Sequence, residues 1–237
     1  MSFDPYEFDR SYPYDQGGYP MGLFLSNTFL WMFLGLMITF GVALAGWLTG
    51  FAPLIFMLGG HLFLLIAQLV VVVLLSAMIE KLSVGAAKLC FVLYSALTGV
   101  TFSTYFYMFE LGSLIFVFLA TAVFFGVFGL YGHLTQTDLS GLRPVLISGL
   151  VVLLVYGIIA LFVPGLGILD GIMTLGAVGL FLAYTAYDMQ AIQHYYYCYR
   201  HDSAMLEKAS IFAALQLYLD FINLFIRLLR FVGKRKD

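Results

Sequence analysis

Seven long apolar stretches limit this chain to one class of fold. A membrane-spanning helix needs roughly 20 apolar residues, and each stretch reaches about that length. Hydrophobic residues make up 62% of the 237 residues and charged residues only 10%, whereas a soluble domain carries about 25%. The sequence therefore predicts an all-α membrane protein, a bundle of seven transmembrane helices in one polytopic domain over residues 23–237. The predicted spans cover residues 25–49, 54–79, 88–109, 112–131, 144–163, 171–195 and 209–231.

Charge and cysteine content narrow the range of functions. The formal net charge is −2, which argues against a nucleic-acid partner and leaves membrane lipid as the first expected partner. Cys90 lies in an apolar run and Cys198 in a tyrosine-rich segment, so the pair predicts neither a metal site nor a disulfide framework. We expect no cofactor.

The first 22 residues have a different composition from the rest of the chain. They combine acidic residues with tyrosines, prolines and glycines, a mixture that cannot bury an apolar face and is typical of disordered segments. The sequence therefore predicts a disordered tail over residues 1–22. A tyrosine-rich docking segment is the alternative interpretation.

Loop charges predict the orientation in the membrane. Lys and Arg favour the cytoplasmic side; they occur in the N-terminal segment and in the loops after spans 2, 4 and 6, but in none of the opposite loops. The N-terminus is therefore expected in the cytoplasm. After seven crossings Lys234, Arg235 and Lys236 would lie outside the cytoplasm, whereas a re-entrant last segment would return them to the cytoplasmic side. We expect the full crossing, because the apolar run continues beyond Asp220.

Two aspartates lie inside these apolar stretches, Asp188 in span 6 and Asp220 in span 7. A carboxylate in hydrocarbon costs at least about 2.5–3.5 kcal/mol on insertion scales, so such groups usually face a bundle interior or a wet cavity. If the two carboxyl groups meet, they would not both ionise readily and would titrate as a unit. Losing the shared proton would add repulsion and free oxygen ligands suited to transient Ca²⁺ binding. The alternative is a hydrogen-bonded pair that only fixes helix packing.

Three further polar residues accompany the aspartates. Asn223 and Gln216 lie three residues after and four residues before Asp220, on nearly the same helix face. They could line a water path or join helices by hydrogen bonds, and the sequence favours neither interpretation. Tyr184, one turn before Asp188, could donate a hydrogen bond to the site.

Three stretches resemble the Bax inhibitor-1 family, also called the transmembrane Bax inhibitor motif family, and the similarity is greatest to its bacterial inner-membrane branch. The last stretch is the most specific, and the similarity covers nearly the whole chain except the tail. The stretches are Leu75-Ser-Ala-Met-Ile-Glu-Lys81-Leu-Ser through Leu93-Tyr-Ser-Ala-Leu-Thr-Gly-Val-Thr101, Ala183-Tyr-Thr-Ala-Tyr-Asp188-Met-Gln-Ala-Ile, and Leu217-Tyr-Leu-Asp220-Phe-Ile-Asn223-Leu-Phe.

The resemblance implies a seven-helix bundle with the last helix central, and a pH-sensitive calcium leak governed by an aspartate pair that matches Asp188 and Asp220. In part of the family an arginine near the end of the second helix forms a latch with the first aspartate. This chain has no arginine there, and Lys81 is the nearest basic residue. A lysine lacks the planar fork of arginine, which puts the latch in doubt.

These observations favour a passive, pH-sensitive calcium channel of the bacterial inner membrane, with calcium as the permeant ion and no enzymatic activity. Intramembrane aspartyl proteases need a Gly-x-Gly-Asp signature, which this sequence lacks. The only similar stretch, Gly165-Leu-Gly167-Ile-Leu-Asp170, has the wrong spacing and lies in a predicted loop. The alternative function is a non-conducting regulatory protein that binds a membrane-protein partner, such as a quality-control protease or a survival factor.

Overall fold

The computed structural model describes residues 19–57, 59–163 and 168–236, with only the backbone described at positions 52, 56, 61 and 161. Eight α-helices and one short 3-10 helix, Ser140–Leu142, make up the described fold, and no strand longer than a single bridge occurs in it. The all-α prediction is confirmed. The helices are α1 (Met21–Leu48), α2 (Phe51–Met57), α3 (Gly60–Ala77), α4 (Val84–Met108), α5 (Leu111–Leu134), α6 (Arg143–Phe162), α7 (Ile168–Tyr199) and α8 (Ser203–Val232).

Six helices are long and apolar enough to cross a membrane: α1, α4, α5, α6, α7 and α8. They coincide with six of the seven predicted spans to within a few residues at most ends. The last helix begins earlier than expected, at Ser203 rather than near residue 209. The chain is therefore an all-α membrane protein, as its composition predicted.

The second predicted span, residues 54–79, is divided into α2 and α3. Gly59 adopts a left-handed backbone, with φ of 73°, a conformation that favours glycine. A Cβ on Gly60 would lie 2.7 Å from the Ile55 carbonyl oxygen, so the chain turns back closely on α2. The 18 residues of α3 give a length of about 27 Å, slightly less than the hydrocarbon thickness of about 30 Å.

The predicted tail overlaps the first helix. Residues 1–18 lie outside the described part of the chain. Of the remaining tail residues, Met21 and Gly22 already belong to α1, and Tyr19 makes two hydrogen bonds: its hydroxyl accepts from Asn27 at 2.6 Å and its carbonyl from Tyr196 at 2.7 Å. The helical domain thus begins about two residues before the predicted start.

The described fold divides into two compact units, to both of which α7 and α8 contribute. The first unit contains residues 112–163, 168–194 and 219–233; the second contains residues 19–57, 59–111, 195–218 and 234–236. In the second unit, glycines allow α1 to lie close to α4. A Cβ on Gly99 would lie 2.7 Å from the Thr39 carbonyl oxygen, and one on Gly35 would lie 2.6 Å from the Phe91 ring.

The first part of α8 packs against α1 and α4 in the second unit. The hydroxyl groups of Thr28 and Ser210 lie 3.1 Å apart. Tyr218 is fully buried; its hydroxyl lies 2.6 Å from that of Thr39, and its ring packs edge-on against Phe91. Because Thr39 donates to a backbone carbonyl of α4, the Tyr218 hydroxyl donates to Thr39. These contacts satisfy polar groups that would be costly to bury unpaired.

The last part of α8 packs against α5 in the first unit. Phe221 contacts Phe118 and Phe125, with ring centroids 5.3 and 5.6 Å apart. Of the most apolar 18-residue window of α8, 72% is buried, whereas the windows of the other five long helices are 17–28% buried. The last helix is therefore the most enclosed of the six, which agrees with the central last helix implied by the family resemblance.

The basic C-terminal residues lie at the far end of α8, beside the end of α4. The start of α8 pairs with the start of α4 through Glu207 and Lys88. After α8 ends, the Lys236 ammonium donates to the Phe106 carbonyl at 2.8 Å, and Lys234 pairs with Glu110 at 2.8 Å. The hydrogen bond from the Lys234 ammonium to the Glu110 carboxylate raises the pKa of Lys234. The start of α8 and the residues that follow its end thus lie beside opposite ends of α4, and the full crossing of the last helix stays a prediction.

Thiol labelling tests the side on which this tail emerges. With Cys90 and Cys198 replaced by serine, a cysteine at Lys236 is expected to react with an impermeant thiol reagent in intact spheroplasts, because an N-terminus in the cytoplasm places the end of α4 outside. A cysteine at Lys81, three residues before α4 begins, is the matched control and is expected to react only after the membrane is opened. The reverse pattern would contradict the predicted orientation.

Candidate functional site

The two intramembrane aspartates come together in the first unit. Asp188 lies in α7 and Asp220 in α8, and each side chain is only 5% exposed. Their carboxyl groups are within hydrogen-bonding contact of each other. A hydrogen bond between two carboxyl groups requires a proton on one of them. Such a bond can therefore form at this buried helix–helix contact only while one of the two carboxyl groups carries a proton.

Asp220 retains unused hydrogen-bonding capacity. Its Oδ2 atom is buried and has no hydrogen-bond partner among the described residues. Tyr184, one turn before Asp188, is close enough to interact electrostatically with both carboxyl groups, and its ring packs near Phe181. A buried oxygen without a partner is costly, so this site favours a proton, a water molecule or a cation.

A close approach of α5 to α7 positions Asp188. Gly132 of α5 lies directly over the backbone of Ala186: a Cβ there would overlap the Ala186 carbonyl oxygen and lie 2.7 Å from its Cα. One turn earlier, Gly129 faces Thr185 and Met189 at ordinary contact distances. These two glycines let the α7 backbone lie against α5 just before Asp188. The sequence analysis missed this contact, although small residues that let backbones approach closely are enriched at interfaces between membrane helices.

Gln190 is a second positioning residue that the sequence analysis missed. Its Oε1 accepts a hydrogen bond from the Leu139 amide at 2.8 Å, and its Nε2 donates to the Thr137 carbonyl at 2.9 Å. Gln193, nearly one turn later, donates to the His133 carbonyl at 3.2 Å. The α7 segment after Asp188 is thus attached to the connection between α5 and α6. The signal available in the sequence was an amide two residues after Asp188.

The other predicted site residues have different surroundings. Asn223 donates to the Leu219 carbonyl of its own helix at 2.8 Å. Gln216 belongs to the second unit, where its Oε1 is buried without a hydrogen-bond partner among the described residues. Lys81 is exposed in the second unit, and within the described ranges no ion pair of its side chain is found. Their predicted roles as pore-lining residues and latch remain predictions.

Any metal ion at this site would depend on the aspartate pair for its protein ligands. Within the described part of the chain, no three His, Cys, Asp or Glu side chains form a group that could hold a metal ion. Ca²⁺ takes six to eight oxygen ligands, and two carboxyl groups provide at most four. Any Ca²⁺ at Asp188 and Asp220 would therefore keep several water ligands, which suits transient rather than resident binding.

Comparison with known protein families agrees with the motifs around these aspartates. The family model described as "Inhibitor of apoptosis-promoting Bax1" matches residues 21–237, the whole chain except its first 20 residues. The chain belongs to the Bax inhibitor-1 family. The matched residues include both α7 and α8, the two helices that carry the aspartates.

Bacterial relatives cover most of this Bax inhibitor-1 family protein. The inner membrane protein YbhL of Escherichia coli K12 is 35% identical over 223 residues, which are 90% of this chain and 92% of YbhL. An uncharacterized protein of Deinococcus radiodurans is 36% identical over 215 residues, 90% of this chain and 91% of its own. An uncharacterized protein of Borreliella burgdorferi is 36% identical over 174 residues, which are 73% of this chain and 75% of its own.

Double substitution tests the contact between the aspartates. Asp188→Asn and Asp220→Asn each change the same hydrogen bond, so the effect of the double variant on the free energy of unfolding should differ from the sum of the single effects by about 0.5–3 kcal/mol. Thermal unfolding of the four proteins measures this difference. Asp170→Asn combined with Asp220→Asn is the control and is expected to be additive, since Asp170 bonds instead to Tyr156. Additivity in the Asp188 pair would contradict the contact.

Proposed function

We propose that this Bax inhibitor-1 family protein is a passive calcium leak channel whose open fraction depends on the protonation of Asp188 and Asp220. The observation that carries the proposal is the buried contact of two carboxyl groups on different helices. Such a pair is uncommon inside membrane proteins, where ionisable residues usually serve ion or proton movement. No cofactor and no chemical step are needed.

Protonation can couple to helix position at this contact. With one shared proton, the carboxyl groups attract each other and hold α7 against α8. When that proton leaves, two negative charges face each other where the dielectric constant is low, and the repulsion is much larger than in water. The helices then separate or admit a cation and water. This gives the site two states that pH can interconvert, which is the minimum that a gate requires.

The same pair can serve the permeant ion. Carboxylate oxygens are preferred ligands of Ca²⁺, and Asp220 Oδ2 has no partner among the described residues. A site with few protein ligands binds Ca²⁺ weakly enough to release it, which conduction requires. We place the protein in the bacterial inner membrane with its N-terminus in the cytoplasm, on the basis of its loop charges and the inner-membrane relative.

Reconstitution tests the proposal. The purified protein is placed in liposomes loaded with a calcium-sensitive dye, and external Ca²⁺ is added at several pH values. We expect calcium entry above that of protein-free liposomes, at a rate that changes with pH. Correctly folded protein that gives no entry at any pH would contradict the channel proposal and favour a non-conducting regulatory protein.

A further inference from the structure

Residues 234–236 follow the end of α8 and pair as a short strand with the end of α4; we call them the strap. The Glu110 amide donates to the Lys234 carbonyl at 3.1 Å, and the Lys236 amide donates to the Met108 carbonyl at 3.0 Å. The two bonds flank an antiparallel bridge. Met108 is the last residue of α4, so its carbonyl has no partner within the helix. The strap therefore supplies a hydrogen bond that the end of α4 lacks.

The side chains of the strap add contacts to the same end of the second unit. Lys234 Nζ lies 2.8 Å from a Glu110 carboxylate oxygen. Lys236 Nζ donates to the Phe106 carbonyl at 2.8 Å and lies 5.5 Å from the centre of the Trp47 ring. A cation is favoured both at the C-terminal end of a helix and over the face of an aromatic ring. The strap thus contacts the ends of both α1 and α4.

Trp47 joins the ends of α1 and α4 to each other. It is the residue before the last one of α1. Its ring stacks on Phe106, with centroids 5.6 Å apart, and its carbonyl accepts a hydrogen bond from the Tyr107 hydroxyl at 2.9 Å. The strap is therefore paired with two helix ends that are already attached to each other, which makes them a firm anchor for it.

The strap is also continuous with the helix that carries Asp220. That helix, α8, runs unbroken from Ser203 to Val232, and Gly233 alone separates it from the strap. The Gly233 amide still donates to the Leu229 carbonyl at 2.9 Å, so helical hydrogen bonding continues up to the strap. Because a helix is a rigid element that passes a shift along its length, a movement of α8 along its axis pulls on the strap's bonds to α4.

The strap can open without unfolding the helices. All three of its residues are exposed, and segments with exposed backbone hydrogen bonds and few buried apolar contacts are the first to open locally. Its contacts are hydrogen bonds, one ion pair and contacts between cations and rings, each of which water can replace at small cost. The strap therefore has a paired state and an unpaired state that are close in free energy.

We propose that the strap is an autoinhibitory restraint: while it is paired with α4, it holds α8 in the position in which the two carboxyl groups meet, and its release lets α8 shift and the leak open. This inference rests on the proposed calcium leak and adds an element distinct from the aspartate pair. Protonation of the pair and pairing of the strap then both favour the same closed position of α8.

A disulfide between positions 109 and 235 tests the restraint. Phe109 and Arg235 are the bridge pair, and the bonds that flank them make them a non-hydrogen-bonded pair, whose Cα atoms lie about 4.5 Å apart, within disulfide range. Phe109→Cys with Arg235→Cys, with Cys90 and Cys198 replaced by serine, is oxidised with copper phenanthroline in dye-loaded liposomes. We expect oxidation to lower calcium entry by about fivefold or more and dithiothreitol to restore it.

The reduced protein is the matched control, because it has the same sequence and the same lost side chains as the oxidised protein. Arg235→Cys alone, in the same serine background, controls for the oxidant and is expected to keep its rate. Ending the chain at Gly233 tests the opposite direction: entry should rise by about fivefold or more at the pH at which the wild-type rate is lowest. If that shortened chain fails to fold, the disulfide experiment still decides.

Equal calcium entry in the oxidised and reduced proteins, with the disulfide verified by mass, would overturn the restraint while the leak itself stands. An unchanged rate in a correctly folded chain that ends at Gly233 would do the same. Folded wild-type protein that admits no calcium at any pH would instead refute the proposed leak, and with it this role of the strap. The wild-type measurement therefore separates the two failures.

Discussion

In dye-loaded liposomes, the Asp220→Asn variant is expected to lose the pH dependence of its calcium leak. The wild-type rate should change between about pH 6 and 8, a range that carboxyl groups reach when they are buried beside each other. Asparagine cannot ionise, so the repulsion with Asp188 never develops, and the variant's rates at pH 6 and pH 8 should agree within about twofold. Because the pair titrates as a unit, Asp188→Asn should have the same consequence.

Asp170→Asn is the matched control for this experiment. Asp170 lies in the same unit, near the start of α7, and accepts a hydrogen bond from Tyr156 at 2.9 Å. Its replacement removes one acidic side chain without touching the pair, so the pH dependence should remain that of the wild type. A wild-type pH curve in Asp220→Asn would show that this carboxyl group does not gate the leak, even if the leak itself is real.

Gly132→Ala is expected to have the largest effect on stability. The added methyl group would overlap the Ala186 carbonyl oxygen, and both atoms belong to helix backbones that cannot move aside independently. Separating α5 from α7 enough to accept it is expected to lower the free energy of unfolding by about 1–3 kcal/mol. Because Ala186 is two residues before Asp188, the displacement should also disturb the aspartate pair. Thermal unfolding in detergent and the liposome leak measure the two consequences.

Gly126→Ala provides the control for that substitution. Gly126 lies in the same helix, and a Cβ there would meet no atom within 4 Å. The change gives the same methyl group and the same gain in helix propensity, up to about 1 kcal/mol in water, without a clash. We expect unchanged or slightly increased stability. Equal destabilisation by both variants would indicate that the close approach at Gly132 does not limit the packing of α5 on α7.

The sequence predicted the transmembrane helices well because hydrocarbon imposes a simple length requirement. About 20 apolar residues must form a helix to cross, since each unpaired backbone group in lipid costs several kcal/mol. Six of the seven predicted spans therefore match the helices. The second does not, because Gly59 and Gly60 turn the chain between α2 and α3. Hydropathy alone did not reveal this break, since glycine does not reduce the apolar character of a 26-residue stretch enough to end it.

The candidate site was predicted less completely. Asp188 and Asp220 are conspicuous in the sequence because an acidic side chain in hydrocarbon is costly and usually functional. The family resemblance marks the same two positions. Their contact depends on how α7 and α8 are staggered, and a single helix contains no information about its stagger against another. The same limit explains why Gln190 went unnoticed: its partners, Leu139 and Thr137, are more than fifty residues away in the chain.

The sequence by itself determined the membrane class of this protein, its family and the two acidic residues around which a function can be proposed, because each of these depends on composition or on a local motif. Only the tertiary structure decided that the two carboxyl groups touch, that Gly132 brings α7 against α5, and that the basic C-terminal residues lie beside the end of α4. These are contacts between distant segments. They depend on side-chain shape and helix stagger, which become fixed only when all the helices pack together.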